Sequence, residues 1–363
     1  MSVTIYVTDA FGRRIDTVSG YDALDCAISQ NDVGAWSLKF AAERFPRPLF
    51  FSGNALALDR RIEVWRAPYG RSERLVFCGF LRSYEENAQG YAYTEDYTQE
   101  WTWCFAAGSG TESARVLTYI GNDTRLVASP LNRREGFYED TNEADTAVLQ
   151  SGAQGELYAH RPVVNFAPRN IEFDYLYPHD WQIGDVLKVS TGEPNTITVG
   201  GPDLTDLLAR RIVAYKTGTA EARKNEAADD MMKAFVYENM GGGATAARQW
   251  PAALGFQIAG DQTIGAVIEY SAKFGNVLEL LRSISDRTAE AGSRVYFGIV
   301  PTITGGVVVP RFETRVGLWG ADKTALPVAA GYRTQSLTIA GVRLTVTRDK
   351  EVVTPRFAED ADA

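Results

Sequence analysis

Residues 31–40 read NDVGAWSLKF. NDVG is a turn signal. The residues after it alternate, so Trp36, Leu38 and Phe40 form the inward set of a strand with one buried face. DALDCAIS (22–29) leads into the turn, in a region, 1–107, that reads as strands. Working outward, VTIYVTD (3–9) alternates and continues across a turn into FGRRIDTV (11–18). RRIEVWRAP (60–68) and RLVFCGFLRSYEEN (74–87) read as two more strands joined by YGRSE, and YAYTEDYTQEWTWCFAA (91–107) as a strand pair or one long strand. Turn signals recurring about every ten residues predict a small antiparallel barrel or sandwich.

Residues 108–190 have a different texture. In GSGTESARVLTYIGNDTRL (108–126) the spacing of Val116, Leu117 and Ile120 predicts a short helix, and LNRREGFYEDTNEADTAVLQSGAQGE (131–156) is polar and reads as loop. NIEFDYLYPHDWQIGDVLKVSTG (170–192) returns to strands. The segment reads as an insertion.

From residue 196 helices enter. TITVGGPDLTDLLARRIVAY reads as strand, turn, helix, strand, with Pro202 in or just before a first helical turn. NEAADDMMKAFVYENMGGG (225–243) predicts a helix capped by Asp229, with Met232, Phe235, Val236 and Met240 as its apolar stripe and Gly241–Gly243 as its stop. FGNVLELLRSISDRTAEAG (274–292) predicts a second amphipathic helix with Phe274, Val277, Leu278, Leu281 and Ile284 inward. RVYFGIV and GGVVVPRFETR flank a PTITGG hairpin turn, and SLTIAGVRLTVTRDK (336–350) is a last hairpin.

Composition narrows the function classes. The chain has 363 residues, 45% of them hydrophobic, enough for two or three domains with cores. Its formal charge of −9 gives no long-range attraction for phosphate backbones, which argues against a dedicated DNA binder. Cys26, Cys78 and Cys104 lie far apart without zinc-type spacing, and Cys78 and Cys104 read as small buried hydrophobes. The N-terminus lacks a basic start and apolar run, so no signal peptide is expected. No run of about 18 apolar residues predicts a membrane span. A soluble chain made in the cytoplasm is the expectation.

The chemical signals are weak. Asp229 and Asp230, side by side on a helix, do not converge on one ion, and Met231 and Met232 prefer softer metals than carboxylates do. VGGPD lacks the lysine and hydroxyl residue of a phosphate loop. The two histidines, His160 and His179, have no nucleophile elbow or metal-type spacing around them. Asp174, Asp180 and Asp185 with Tyr177 and Trp181 could line a sugar site, but read first as aromatic packing. No catalytic residue, cofactor or metal ion is expected.

Several segments together resemble the siphophage tail-hub family, the baseplate hub or tail-tip proteins of long-tailed bacteriophages. They are LLARRIVAYKTGTAEARKNEAADDMMKAFVYENM (207–240), FGNVLELLRSISDRTAEAGSRVYFGIV (274–300) and FETRVGLWGADKT (312–324), in that order. YDALDCAISQNDVGAWSLKF (21–40), DRRIEVWRAP (59–68) and LVFCGFLRS (75–83) resemble the first tube-type barrel of such hubs. The likeness covers roughly residues 1–105 and 196–325; residues 108–190 depart from it. With the 108–190 segment read from its texture as an inserted β-rich domain, the likeness implies a mainly β fold with an α+β part: a small tube-type antiparallel β-barrel over 1–107 and an α+β region over 191–363 with two amphipathic helices and a possible second tube-type element. It also implies a structural protein of the virion tail and not an enzyme. Such a hub is a homotrimer, or second a hexamer, that closes the tail tube and attaches tip or fibre proteins, and DNA passes its lumen without specific binding. A bore that DNA slides through benefits from acidic walls. Arg60, Arg61, Arg66, Arg71, Arg74 and Arg82 are therefore expected to point outward to a neighbouring subunit or ring, where bidentate pairing with carboxylates suits an interface. The alternatives are a tail-borne cell-wall or capsule hydrolase, or a carbohydrate-binding tail module, housed in 108–190.

Overall fold

The structure, a computed structural model, describes residues 2–67, 72–110, 114–168, 179–180, 182, 192–214, 222–316, 339–347 and 351–357. The first stretch carries β1 (Ser2–Thr8), β2 (Arg14–Val18), β3 (Ala23–Ser29), β4 (Ala35–Ala41), the short helix α1 (Arg47–Phe50), the two-residue arms β5 (Phe51–Ser52) and β6 (Ala55–Leu56), and β7 (Arg61–Ala67). Next come β8 (Arg74–Phe80), β9 (Ser83–Asn87), β10 (Tyr91–Asp96) and β11 (Trp103–Ala107). The middle segment adds β12 (Leu117–Gly121), α2 (Asp123–Leu126), β13 (Glu135–Glu139), α3 (Thr146–Ala159) and β14 (Val163–Pro168). Then follow β15 (Thr196–Pro202), α4 (Asp206–Ala209), β16 (Ala222–Ala227), α5 (Ala228–Met240), β17 (Gln257–Ile258), β18 (Val267–Ala272), α6 (Val277–Glu290), β19 (Val295–Thr304), β20 (Val307–Val316), β21 (Ile339–Thr347) and β22 (Glu351–Phe357).

The chain is mainly β, in several antiparallel sheets. A four-stranded sheet in the order β2-β1-β7-β8 faces an eight-stranded one in the order β14-β10-β9-β15-β4-β3-β21-β22. Trp36, Leu38 and Phe40 are buried between them against Ile5, Val7, Ile62 and Val64, as the alternation predicts. The two sheets meet at one corner. There β8 ends at Phe80, the chain turns through Leu81 and Arg82, and β9 joins the other sheet, where the Arg82 amide donates to the Gly200 carbonyl. Gly201 makes this crossing possible, because a Cβ there would sit 2.1 Å from the Phe80 carbonyl oxygen. RLVFCGFLRSYEEN is thus two strands in different sheets. Among the described residues no sheet closes into a barrel.

The eight-stranded sheet draws on all three expected segments. β14 comes from within 108–190, and β15, β21 and β22 from beyond 191; β21 pairs with β3 from Gly341 opposite Ser29 to Thr347 opposite Ala23. Leu344 and Val346 of β21 belong to the same core as Trp36.

The middle segment corrects two expectations. Leu117–Gly121 is a strand, paired antiparallel to β11, not a short helix; Val116 precedes it. The polar stretch 131–156 is not loop but holds β13, parallel to β11, and the start of α3. Asp145 caps α3 by accepting from the Ala147 amide at 2.7 Å, and Leu149, Ala153 and Leu157 form a narrow buried stripe over β11. That stripe, one side chain per helical turn, is too thin to register as amphipathic. Most of 170–192, including Asp174, Tyr177, Trp181 and Asp185, lies outside the described residues.

The third core is α+β. Helices α5 and α6 pack on each other and on the β19–β20 hairpin, burying Met231, Met232, Phe235, Val236 and Met240 with Leu281, Ile284, Phe297 and Phe312. The hairpin turns at Gly305 and Gly306, both at positive φ, as PTITGG predicts. α5 ends before Gly241 as expected, but Asp229 is not its cap. The cap position is Ala227, and Asp229 lies inside the first turn, fully buried. Its carboxylate accepts from the amides of Gln262 (3.1 Å) and Ile264 (2.7 Å) and from Lys233 Nζ (2.8 Å). A carboxylate at a helix start serves a neighbouring loop here. α6 begins at Val277, capped by Asn276; Phe274 stands before it at φ 55 and stacks on Phe137 at 4.3 Å. Pro202 closes β15 opposite Ala35 and takes no part in a helix.

The NDVG turn links the cores. Asn31, at φ 55, donates through Nδ2 to Ser285 Oγ on α6 (2.8 Å) and accepts at Oδ1 from the Phe297 amide on β19 (2.8 Å).

Candidate functional site

A charged network is buried where these cores meet. Asp59, at φ 62 between β6 and β7, lies at its centre. Arg82 Nε and Arg210 Nη2 approach its Oδ1 at 3.1 and 2.9 Å as ion pairs rather than as aligned hydrogen bonds, and Ser129 Oγ donates to Oδ2. Arg210 Nε donates to Asp206 Oδ2 (2.7 Å), and Arg134 grips both Asp206 oxygens at 2.9 and 3.1 Å. Arg82 Nη1 donates to Asn132 Oδ1 at 2.7 Å, and Arg125 holds Glu100 through Nε and Nη2 at 2.5 and 3.1 Å. Four guanidiniums, those of Arg82, Arg125, Arg134 and Arg210, therefore face three carboxylates, those of Asp59, Glu100 and Asp206.

A neighbouring cluster surrounds Glu135. Arg248 grips both its oxygens at 2.9 and 2.7 Å, and Arg133 Nε donates to Oε1 at 2.8 Å. Arg211 donates to the carbonyls of Arg133 and Arg248 and lies 3.7 Å over the Trp250 ring.

Burial works against every one of these charges, and the partners decide the outcome. For Asp59 and Asp206, burial is outweighed by the arginines beside them, and both carboxyls titrate below their usual range. Glu135 is held below its usual value in the same way, by Arg248, Arg211 and Arg133. Burial pulls Arg82 and Arg211 down to about 9, leaving both charged at neutral pH. Asp203 differs. It lies at the sheet corner with no ion pair among the described residues, accepting from the amides of Thr205 and Gly34, and burial pushes its carboxyl up to about 7.

The network floors a surface cleft of about 480 Å³. Ser129 and Pro130 line it together with the apolar 55–58 stretch and Phe11, and Arg60, Tyr97, Arg125 and Asp9 supply polar groups. The Ser129 hydroxyl at the cleft is engaged by the Asp59 carboxylate, and among the described residues no three His, Cys, Asp or Glu side chains are grouped to hold a metal.

The arginines expected at the surface divide. Arg60 lines the cleft, and Arg66 and Arg74 lie opposite each other where β7 ends and β8 begins, Arg74 exposed. Arg61 and Arg82 are fully buried and do not point outward. Arg61 donates through Nε to the Ala10 carbonyl and through Nη1 to the Val308 carbonyl, both at 2.9 Å, bracing the β1–β2 turn against β20. Arg71 lies outside the described residues. Cys26, Cys78 and Cys104 are free and buried, and burial pushes Cys78 and Cys104 up to about 12, as inert thiols. His160 ends α3 and stacks flat on Trp101 at 3.6 Å. Asp206, Arg134 and Glu135 went unmarked in the sequence. The available signal was the dibasic pair Arg210–Arg211 inside the apolar run LLARRIV, since charges in such a run need buried partners.

A scan against protein-family models finds no match to this chain, and a comparison with curated proteins finds none.

Proposed function

We propose that the protein is a structural subunit of a ring at the end of a long-tailed bacteriophage tail, the hub that closes the tail tube, carries the tip or fibre proteins and lets DNA pass. The observation that carries this reading is the eight-stranded sheet. Neither of its outer strands, β14 and β22, has a second partner strand among the described residues. β14 exposes Val163, Val164 and Phe166 by 58%, 58% and 43%. An exposed apolar edge strand is a hazard for a lone chain, and a head-to-tail ring removes it by covering one edge with the next copy. The two sheets around Trp36, Leu38 and Phe40 are, in this reading, the tube-type barrel, left open in the single chain. The buried charged network suits a part that transmits load, because it locks three cores into one orientation.

Native mass measurement tests this. A homotrimer is expected first and a hexamer second, and Val164→Glu should shift the population toward monomer. Electron microscopy of tail ends should place the ring at the tube terminus, and the purified protein should not retain DNA at physiological salt. Monomers at every concentration and in purified virions would overturn the reading.

A further inference from the structure

Arg60 is the unusual group in the cleft. Its Nη1 donates to the carbonyls of Pro48 and Leu49, both at 2.8 Å, which fixes the guanidinium plane against the wall. Among the described residues it meets no carboxylate. The other charged groups of the cleft are satisfied. Arg125 is bidentate to Glu100, and Asp9 Oδ1 accepts from the amides of Phe11 and Arg13, both at 2.9 Å. Tyr97 donates to Glu95 at 3.0 Å. Arg60 is half-buried, and burial alone depresses its pKa, with no acid to offset it. A guanidinium held in place and partly desolvated, with its Nε–Nη2 edge unused, is arranged for a bidentate carboxylate.

We propose that this cleft binds a glutamate or aspartate side chain carried on a short, apolar-flanked segment of a partner polypeptide. The volume lies within the range of about 300–1,000 Å³ typical of ligand pockets. Phe11, Leu56, Leu58 and Ala128 offer apolar contact around Arg60, the cleft cation that meets no carboxylate among the described residues, so a ligand gains most when one carboxylate comes with an apolar body. A bare inorganic anion would gain the guanidinium only, against a chain of charge −9. This site does not depend on ring assembly and holds or fails without it.

The test is a titration of the full-length, isotope-labelled protein with N-acetyl-Leu-Glu-Leu-amide, followed on the arginine Nε–H resonances. The Arg60 signal, assigned by its loss in Arg60→Lys, is expected to move downfield and saturate. The Leu-Gln-Leu peptide and free acetate should each bind at least about tenfold more weakly, the loss of one charge-assisted bidentate pair or of its apolar flanks. Arg60→Lys, which keeps the charge and loses the fork, should also weaken binding as followed on the backbone amides of the 55–58 stretch, with the rest of the spectrum unchanged as proof of folding; Arg13→Gln should not. An unmoved Arg60 signal at the peptide's solubility limit, or an equal response to the glutamine peptide, would overturn the proposal. Acetate binding as well as the peptide would make this a small-anion site and overturn it too.

Discussion

Asp59 shows what single residues carry here. It neutralises Arg82 and Arg210 at once, from a left-handed backbone that asparagine also tolerates. Asp59→Asn therefore removes the charge without disturbing the turn, and leaves two buried guanidiniums short of a partner. Equilibrium urea unfolding should show a loss of about 3–5 kcal/mol, the usual cost of breaking a buried pair from one side; a loss below about 1 kcal/mol would place the pair among exposed bridges. Asp203 makes the opposite contribution. Its folded pKa, about 7, is above the ordinary 3.8, so the folded state keeps the proton to higher pH. Stability from this group is complete below about pH 4 and falls as pH rises to about 7, with a limiting slope of about 1.4 kcal/mol per pH unit. Asp59, Asp206 and Glu135, held low, act only at the acid end and lose their contribution as pH falls below their ordinary values. Between pH 5 and 7 the two effects separate, so Asp203→Asn should flatten the decline seen by thermal unfolding across that window. An unchanged slope would assign the decline to another group.

At the scale of elements, α5 was legible in its period and not in its charges. Met232, Phe235, Val236 and Met240 face the core because residues three and four apart share a helix face. Met232→Ala should cost about 2–5 kcal/mol, from lost transfer energy plus the cavity left behind. The two neighbouring acids should differ. Asp229→Asn weakens the hold on the Gln262 and Ile264 amides and leaves the Lys233 ammonium with the Gly260 carbonyl in place of a carboxylate, for about 1–3 kcal/mol. Asp230, bonded only to the Thr263 amide at an exposed site, should lose less than about 0.5 kcal/mol as asparagine. Equal effects in chemical denaturation would count against the loop-bracing role. In the middle segment the fault lay in pattern strength. A helix burying one residue per turn, such as α3, and a strand without alternation, such as β13, both resemble loop to a periodic reading.

At the scale of the whole molecule, β21 and β22 connect distant parts of the chain. A chain ending at residue 338 would leave β3 as an unpaired edge and strip Leu344 and Val346 from the core around Trp36. Such a truncation should lose cooperative unfolding of the two-sheet unit, read as tryptophan fluorescence, or aggregate. A cooperative transition at the full-length midpoint would show the hairpin to be dispensable. The last hairpin, expected within 336–350, is instead the single strand β21 there, paired with β22 beyond it. The sequence by itself determined the mainly β class, the inward face of Trp36, Leu38 and Phe40, the apolar stripes of α5 and α6, and the β19–β20 hairpin. These depend on period and turn chemistry, which are local. Only the tertiary structure decided that β21 pairs with β3, that Arg61 and Arg82 turn inward, and that Asp229 serves another loop. Backbone amides and carbonyls are alike at every residue, so strand order carries no local signature. A guanidinium turns inward only where carbonyls and carboxylates from remote segments, such as Ala10, Val308 and Asp59, arrive together to receive it.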